Sequence, residues 1–255
     1  MAFLDAAMEM EVKATEGGTK VNKKLDWLIF MLALALCVSA LPAMAQTLFS
    51  DLGPPGDQYN CCQGATVSGS GSITGFSDID ASRFTVNGSG PQIVTQIDMG
   101  VTFIESLHAF YTSIWTDNGG LPGSQVPNAF WSPLTPITEF GFCPPRCPGD
   151  YDGGGFVTIH GISGVTLIGG QSYFMIVGPV ALDDASLNAW NLNSQGQTGL
   201  TLFSTDDGAM WNSRGYGSTL DAFDILGTPE PSCLLLLGTG FMGALGAIRF
   251  KKLAN

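Results

Sequence analysis

The chain has 255 residues, a net charge of −12 at pH 7, 45% hydrophobic residues and only 13% charged ones. This composition excludes a disordered chain, and the length suits one sizeable domain with appended segments. Between Gln46 and Thr228 three basic residues face sixteen acidic ones; because so acidic a surface repels phosphate backbones, we expect no nucleic-acid partner.

The first predicted element is a secretion signal within residues 1–45. Two lysines, an uncharged run of twelve residues and an A-x-A cleavage signal follow one another over residues 23–45. The run is too short to span a bilayer comfortably, so we predict a signal helix cleaved between Ala45 and Gln46, with a buried core helix as the alternative. Residues 1–20 do not fit this pattern, and we interpret them as an over-extended gene start, with translation beginning at Val21.

Four cysteines fall in the predicted mature domain: Cys61, Cys62, Cys143 and Cys147. An exported protein occupies a compartment in which disulfides persist. We predict two bridges that link the first pair to the second pair, because a ring between adjacent cysteines is strained. A local bridge between Cys143 and Cys147 and a zinc site built from all four cysteines stay open as alternatives.

Residues 46–227 predict one all-β domain. Short runs rich in Val, Ile, Thr, Phe and Tyr, such as SRFTVNG, HAFYTSIWTD and SYFMIVG, alternate with turn signals such as TDNGGLPG and STDDG. Many short strands separated by glycine-rich turns are typical of an antiparallel β-sandwich or barrel. About 180 residues is enough chain to bury a substantial core.

A family resemblance lies in the order of several motifs. They are LFSDLGPPGDQYN at 48–60, SRFTVNG at 82–88, SIWTDNGGLPGS at 113–124, LIGGQSYFMIV at 167–177, AWNLNSQG at 189–196 and DGAMW at 207–211. In this order they resemble the bacterial surface domain called choice-of-anchor R. The resemblance implies a jelly-roll-like β-sandwich without an established enzymatic role, so we expect that the chain is not an enzyme.

Aromatic side chains are candidates for a sugar-stacking face: Trp115, Trp131, Trp190, Trp211, Tyr59, Tyr111 and Tyr216. Trp190 and Trp211 have polar neighbours in NAWNLNS and GAMWNSRG, and we predict them as the exposed glycan-stacking pair. The alternative is that these large rings fill the sandwich core.

Two further motifs suggest chemistry without defining a site. Asp150 and Asp152 in PGDYDGGG resemble the start of a calcium loop, but position 12 is Gly161 where an EF-hand needs Glu. A calcium site of another kind, built on Asp150 and Asp152, stays a hypothesis, and we predict no other cofactor. His108 and His160 lie in strand-like segments and there is no G-x-S-x-G motif, so a secreted hydrolase is kept only as an alternative.

The last predicted element is a C-terminal tail over residues 228–255. TPEP is followed by an uncharged run from Ser232 to Ile248 and then by basic residues, which predicts a short transmembrane helix with a cytoplasmic end. This order resembles the PEP-CTERM sorting signal of bacteria. The resemblance implies that an exosortase, a membrane processing enzyme, recognises Pro229, Glu230 and Pro231, while the basic stop consists of Arg249, Lys251 and Lys252.

Together these elements predict an exported bacterial protein that is first anchored in the membrane and then reaches the cell surface or extracellular matrix. We expect a non-catalytic structural role there, in association with exopolysaccharide. A carbohydrate-binding surface module is the alternative function.

Overall fold

The computed structural model describes residues 46–54, 57–105, 108–141 and 156–229. These residues form strands and no helix, which confirms the all-β prediction. The predicted signal helix and C-terminal helix lie outside them, and no helix able to cross a membrane occurs within them. The strands are β1 (Gln46–Ser50), β2 (Tyr59–Ser68), β3 (Ile79–Thr85), β4 (Gly90–Met99), β5 (Val101–Phe103), β6 (Phe110–Asp117), β7 (Pro122–Leu134), β8 (Val157–His160), β9 (Thr166–Gly169), β10 (Ser172–Pro179), β11 (Leu187–Asn193), β12 (Thr198–Ser204), β13 (Asn212–Thr219) and β14 (Phe223–Pro229).

The strands pair into three antiparallel sheets. The largest has the order β13-β12-β3-β10-β6-β7, the second runs β1-β14-β4-β8 with β9 also paired to β4, and the third runs β2-β11-β5. The main hydrophobic core contains side chains from the six-stranded sheet and from both smaller sheets. The arrangement is therefore sandwich-like, with layers of strands on either side of one core.

The six-stranded sheet is apolar on both faces, as β6 illustrates. Successive side chains of a strand point to opposite faces. Phe110 and Ile114 belong to the main core, whereas Tyr111 and Trp115 pack on a separate cluster across the sheet. That outer cluster consists of Ile79, Ala81, Phe174, Ile176, Leu200 and Leu202. We call the face that carries it the outer face, because it is turned away from the main core.

Strand β14 is a central strand, paired with β1 on one side and β4 on the other. Gly227 is required there, because a Cβ at this position would lie 2.3 Å from the carbonyl oxygen of Ile93 and 2.5 Å from the Leu48 side chain. The strand continues to Pro229, which is in register with Gln92. The sheet thus extends two residues past the predicted boundary at 227, into the segment predicted as the sorting signal.

Candidate functional site

A groove of about 400 Å³ lies on the outer face of the six-stranded sheet. Its walls come from the β6–β7 hairpin on one side and from the loop between β12 and β13 on the other. Four aromatic side chains line it: Tyr111, Trp115, Phe130 and Trp211. The groove therefore combines a wide aromatic surface with a position between two loops, as is common for ligand sites on β-scaffolds.

Close packing under Tyr111 fixes the aromatic surface. Gly178 on β10 leaves room for the Tyr111 ring, because a Cβ there would lie 2.6 to 2.7 Å from three atoms of that ring. On its other side Tyr111 stacks with Phe130, with ring centroids 5.3 Å apart and an interplanar angle of 27°. Trp115 is oriented by its indole N–H, which donates to the Ser113 hydroxyl at 2.9 Å.

The loop that carries Trp211 is held by its own hydrogen bonds. The Asp206 carboxylate accepts from the Ser204 hydroxyl at 2.7 Å and from the Met210 amide at 2.9 Å, and these bonds lower the pKa of Asp206. The Gly208 amide donates to the Ser204 hydroxyl at 2.8 Å. Asp207, at φ 60°, adopts the left-handed backbone conformation that this tight loop requires. The groove wall is therefore preorganised.

Polar groups border the aromatic surface. Asn118, Gln125 and Asp207 line the groove and are exposed, so an amide or a carboxylate is available beside the rings. Burial raises the pKa of Tyr111 to about 12, and the nearby negative charge of Asp207 adds to that effect. The Tyr111 phenol is therefore a neutral hydroxyl at physiological pH, able to donate one hydrogen bond and accept others.

Neither arginine of the described residues lines this groove. Arg83 donates from Nε to the Asp117 carboxylate at 2.9 Å, and Arg214 donates to Asp80 at 2.7 Å. Both guanidinium groups are therefore committed to ion pairs within the domain. The groove offers a carboxylate and neutral polar groups to a ligand, and no positive side chain.

A second polar feature is buried between the sheets. Asp51, Asp80 and Asp221 are almost fully buried, and each has one carboxylate oxygen without a hydrogen-bond donor among the described residues. Burial raises the pKa of all three carboxyls, to about 7 for Asp221. No three carboxylate, histidine or cysteine side chains of the described segments converge in a way that could hold a metal ion.

The structure places the two predicted glycan-stacking residues in different environments. Trp211 lines the groove and is half-buried. Trp190 has no exposed surface; its ring packs in the main core and its indole N–H donates to the Ala222 carbonyl at 3.2 Å. The prediction for Trp190 is wrong, because its asparagine neighbours are buried too. Asn191 donates to the Asn60 carbonyl at 3.1 Å and thus satisfies its polarity inside the protein.

Sequence reasoning included Tyr111 and Trp115 among the aromatic candidates but could not bring them together with Trp211. It missed Phe130, Gln125 and Asp207 as partners of these rings. The available signal was the alternation of Tyr111, Ser113 and Trp115 on one strand, which places all three on one face. Trp211 and the other groove residues join these side chains only because strands distant in sequence pair with one another, and local alternation does not predict that pairing.

The described cysteines are not free thiols. Cys61 and Cys62 are both disulfide-bonded. Cys143 and Cys147 lie outside the described residues, as do Asp150 and Asp152, so the disulfide pairing and the calcium hypothesis stay predictions. Strand β2 does lie next to both ends of the segment that carries them: the Gly141 amide donates to the Cys61 carbonyl at 2.9 Å, and the Phe156 and Tyr59 ring centroids are 6.0 Å apart.

No family model matches the chain, and no curated protein sequence matches it. Among solved structures it is similar to the cysteine protease and lectin-like domains of Cwp84, a surface layer associated protein of Clostridium difficile. The TM-score is 0.39 at 10% identity, and the match covers 61% of this chain and 33% of that one, so this chain spans about a third of the other's length. That structure includes a cysteine protease, and we withdraw the expectation that this chain is not an enzyme.

Proposed function

We propose that the chain is an exported surface protein whose outer-face groove binds carbohydrate. The observation that carries the proposal is the grouping of Tyr111, Trp115 and Trp211 beside exposed amide and carboxylate groups. This grouping favours the carbohydrate-binding alternative over a purely structural role, because a structural surface has no need of an organised aromatic groove.

The chemistry of the groove suits a sugar. A pyranose ring has faces made of C–H groups and an equator of hydroxyl groups. Flat aromatic rings bury the C–H faces, and Asn118, Gln125 and Asp207 can exchange hydrogen bonds with the hydroxyls. Apolar surface with a few polar groups at fixed positions is the usual composition of a small-ligand site.

The test measures binding of the purified full-length chain to a panel of soluble polysaccharides by affinity electrophoresis. Trp211→Ala should raise the dissociation constant for the polysaccharide about tenfold, since one well-placed aromatic contact contributes on the order of 1.5 kcal/mol. The retardation of the variant in the gel should fall accordingly. Phe76→Ala is the matched control, because Phe76 is 47% exposed and does not line the groove. A panel without any ligand, or equal losses in both variants, would contradict the proposal.

Export and sorting form the second part of the proposal. The signal-peptide pattern of residues 1–45 supports secretion, and the PEP-CTERM-like tail supports processing by an exosortase-type membrane enzyme. This would leave the groove outside the cell, where exopolysaccharide is a partner of suitable chemistry. The tail lies outside the described residues, apart from Thr228 and Pro229 at the end of β14.

Glu230→Gln tests the sorting proposal, because it keeps the size of the side chain and removes the one charge between the two prolines. We expect the variant to reach the membrane through its apolar run and to accumulate there unprocessed. Membrane fractionation and blotting of a tagged chain in a host with the sorting enzyme provide the measurement. Processing at the normal rate would indicate an ordinary anchor.

A further inference from the structure

We propose that the groove prefers a glycan that carries free amino groups, and that Asp207 recognises the ammonium. This inference rests on the proposed carbohydrate-binding function and adds the chemical class of the sugar. It is drawn from three features of the described residues: an unpaired carboxylate in the groove, aromatic faces around it, and the absence of any free guanidinium nearby.

The first feature is the Asp207 carboxylate. It lines the groove and is exposed, and its charge reaches the Tyr111 hydroxyl. Within the described ranges, no side chain forms an ion pair with it. By contrast, its neighbour Asp206 is engaged by the Ser204 hydroxyl and the Met210 amide. Asp206 thus shapes the loop, while Asp207 is left to interact with a ligand.

The second feature is the set of rings next to this carboxylate. An ammonium group is attracted to the faces of tryptophan and tyrosine, and a carboxylate adds a charge-assisted hydrogen bond. Trp211 and Tyr111 lie on the same groove as Asp207. An acetylated amine lacks the positive charge and loses both contributions, although its sugar ring can still stack.

The third feature is the absence of a free guanidinium near the groove, on a domain whose described surface is acidic. Residues 46–228 carry three basic against sixteen acidic side chains, and the two arginines of the described part are ion-paired. An acidic polysaccharide would be repelled by this surface and would find no cation in the groove. A polysaccharide with ammonium groups would be attracted over its whole length.

The experiment compares two oligomers with the same backbone, a glucosamine hexamer and an N-acetylglucosamine hexamer. Dissociation constants are measured by titration calorimetry on the full-length chain at low and high salt, at a pH that protonates the amine. We expect the glucosamine hexamer to bind about tenfold more tightly at low salt, which is the effect of one charge-assisted hydrogen bond, and the preference should shrink as salt is added.

Two variants connect the preference to one residue. Asp207→Asn should remove most of the preference, because it should lower the affinity for the glucosamine hexamer much more than the affinity for the acetylated hexamer, and asparagine tolerates the left-handed backbone at this position. Asp183→Asn removes the same charge from an exposed residue outside the groove and should preserve the preference. A preference of undiminished size in Asp207→Asn would overturn the inference.

Other outcomes separate this inference from the proposed function. If only neutral glycans bind, in a manner that depends on Trp211, carbohydrate binding stands and the amine preference is wrong. If polylysine binds as tightly as the glucosamine hexamer, the surface recognises charge without the sugar, and the inference is overturned. If no glycan binds at all, the proposed function fails as well.

Discussion

At the scale of single residues, the polarity of the neighbours is a poor guide to the exposure of a tryptophan. Trp190 and Trp211 have similar neighbours in sequence, yet Trp190 is fully buried and Trp211 lines the groove. The difference is set by strand position. β11 lies between β2 and β5, so its asparagines are covered as well as its tryptophan, whereas Trp211 directly precedes the edge strand β13.

Alanine substitutions of the two tryptophans should therefore have different effects on stability. Trp190→Ala creates a cavity in the main core and removes one of the two hydrogen bonds that the Ala222 carbonyl accepts, so we expect a loss of about 3–5 kcal/mol in the free energy of unfolding. Trp211→Ala should cost about 1–2 kcal/mol, because the ring is half-buried. Urea denaturation measures both values, and equal losses would contradict the assigned positions.

At the scale of strands, the sequence predicted those with strong β-branched and aromatic alternation. β6 lies within the predicted segment HAFYTSIWTD, and β3 and β10 overlap SRFTVNG and SYFMIVG. β7 was missed because it contains three prolines, which an edge strand tolerates since one side of its backbone needs no sheet partner. β13, with the sequence NSRGYGST, was missed because it is an exposed edge strand with little apolar surface.

One ion pair ties the edge strand β13 into the sheet. Arg214 of β13 extends past β12, with its guanidinium 5.3 Å from the centre of the Phe203 ring, and donates to Asp80 of β3 at 2.7 Å. Arg214→Met should lower stability by about 2–3 kcal/mol, because it leaves the buried Asp80 carboxylate without its cation and the arginine itself is partly solvated. Thermal unfolding gives the comparison.

The double variant Arg214→Met/Asp80→Asn provides the control for that prediction. With no charge left to bury at position 80, it should recover part of the lost stability. A double variant less stable than Arg214→Met would show that the guanidinium acts through its packing on Phe203 and not through its charge.

The cysteine pairing can also be tested at this scale. Gly141 and Phe156 lie beside β2 at Cys61 and Tyr59, which is the arrangement that a bridge from this strand to Cys143 or Cys147 needs. We expect no free thiol among these two cysteines and the Cys61–Cys62 pair in oxidised mature protein. Thiol labelling of the unfolded, unreduced chain measures this, and two or more labelled sites would contradict the double bridge.

At the scale of the whole molecule, the buried carboxyls predict an unusual dependence of stability on pH. Burial raises the pKa of Asp221 to about 7 and that of Asp78 to about 6, from an ordinary value of 3.8. Between pH 3.8 and about 7 the folded chain binds more protons than the unfolded chain. The free energy of unfolding is therefore highest at the acidic end of this range and declines as the pH rises to about 7.

The melting temperature should accordingly be higher at pH 5 than at pH 8, by on the order of 5 °C. Asp221→Asn should flatten this profile, since it removes the group whose pKa is raised to about 7. Differential scanning calorimetry of both proteins across the range provides the measurement. A wild-type profile that rises towards pH 8 would mean that the carboxyls are ionised and hydrated in the folded state.

The sequence predicted the fold class at this scale, but not the groove. Local alternation indicates which residues share a face of one strand. It does not tell which strands become neighbours, and the groove unites β6, β7 and β10 with a loop that follows β12. Asp207 is a further example, because an aspartate in a turn has the same local sequence signature whether it points to a ligand or to water.

The central position of β14 determines the order in which the sheet can be built. Gln46 of β1 is in register with Gly227, and Gln92 of β4 with Pro229. During synthesis from the N-terminus, β1 and β4 emerge long before the strand that must join them. A chain that crosses a membrane N-terminus first would thus stay incompletely folded until residue 229 had crossed. A secretion channel would therefore transport an unfolded chain and not a folded domain.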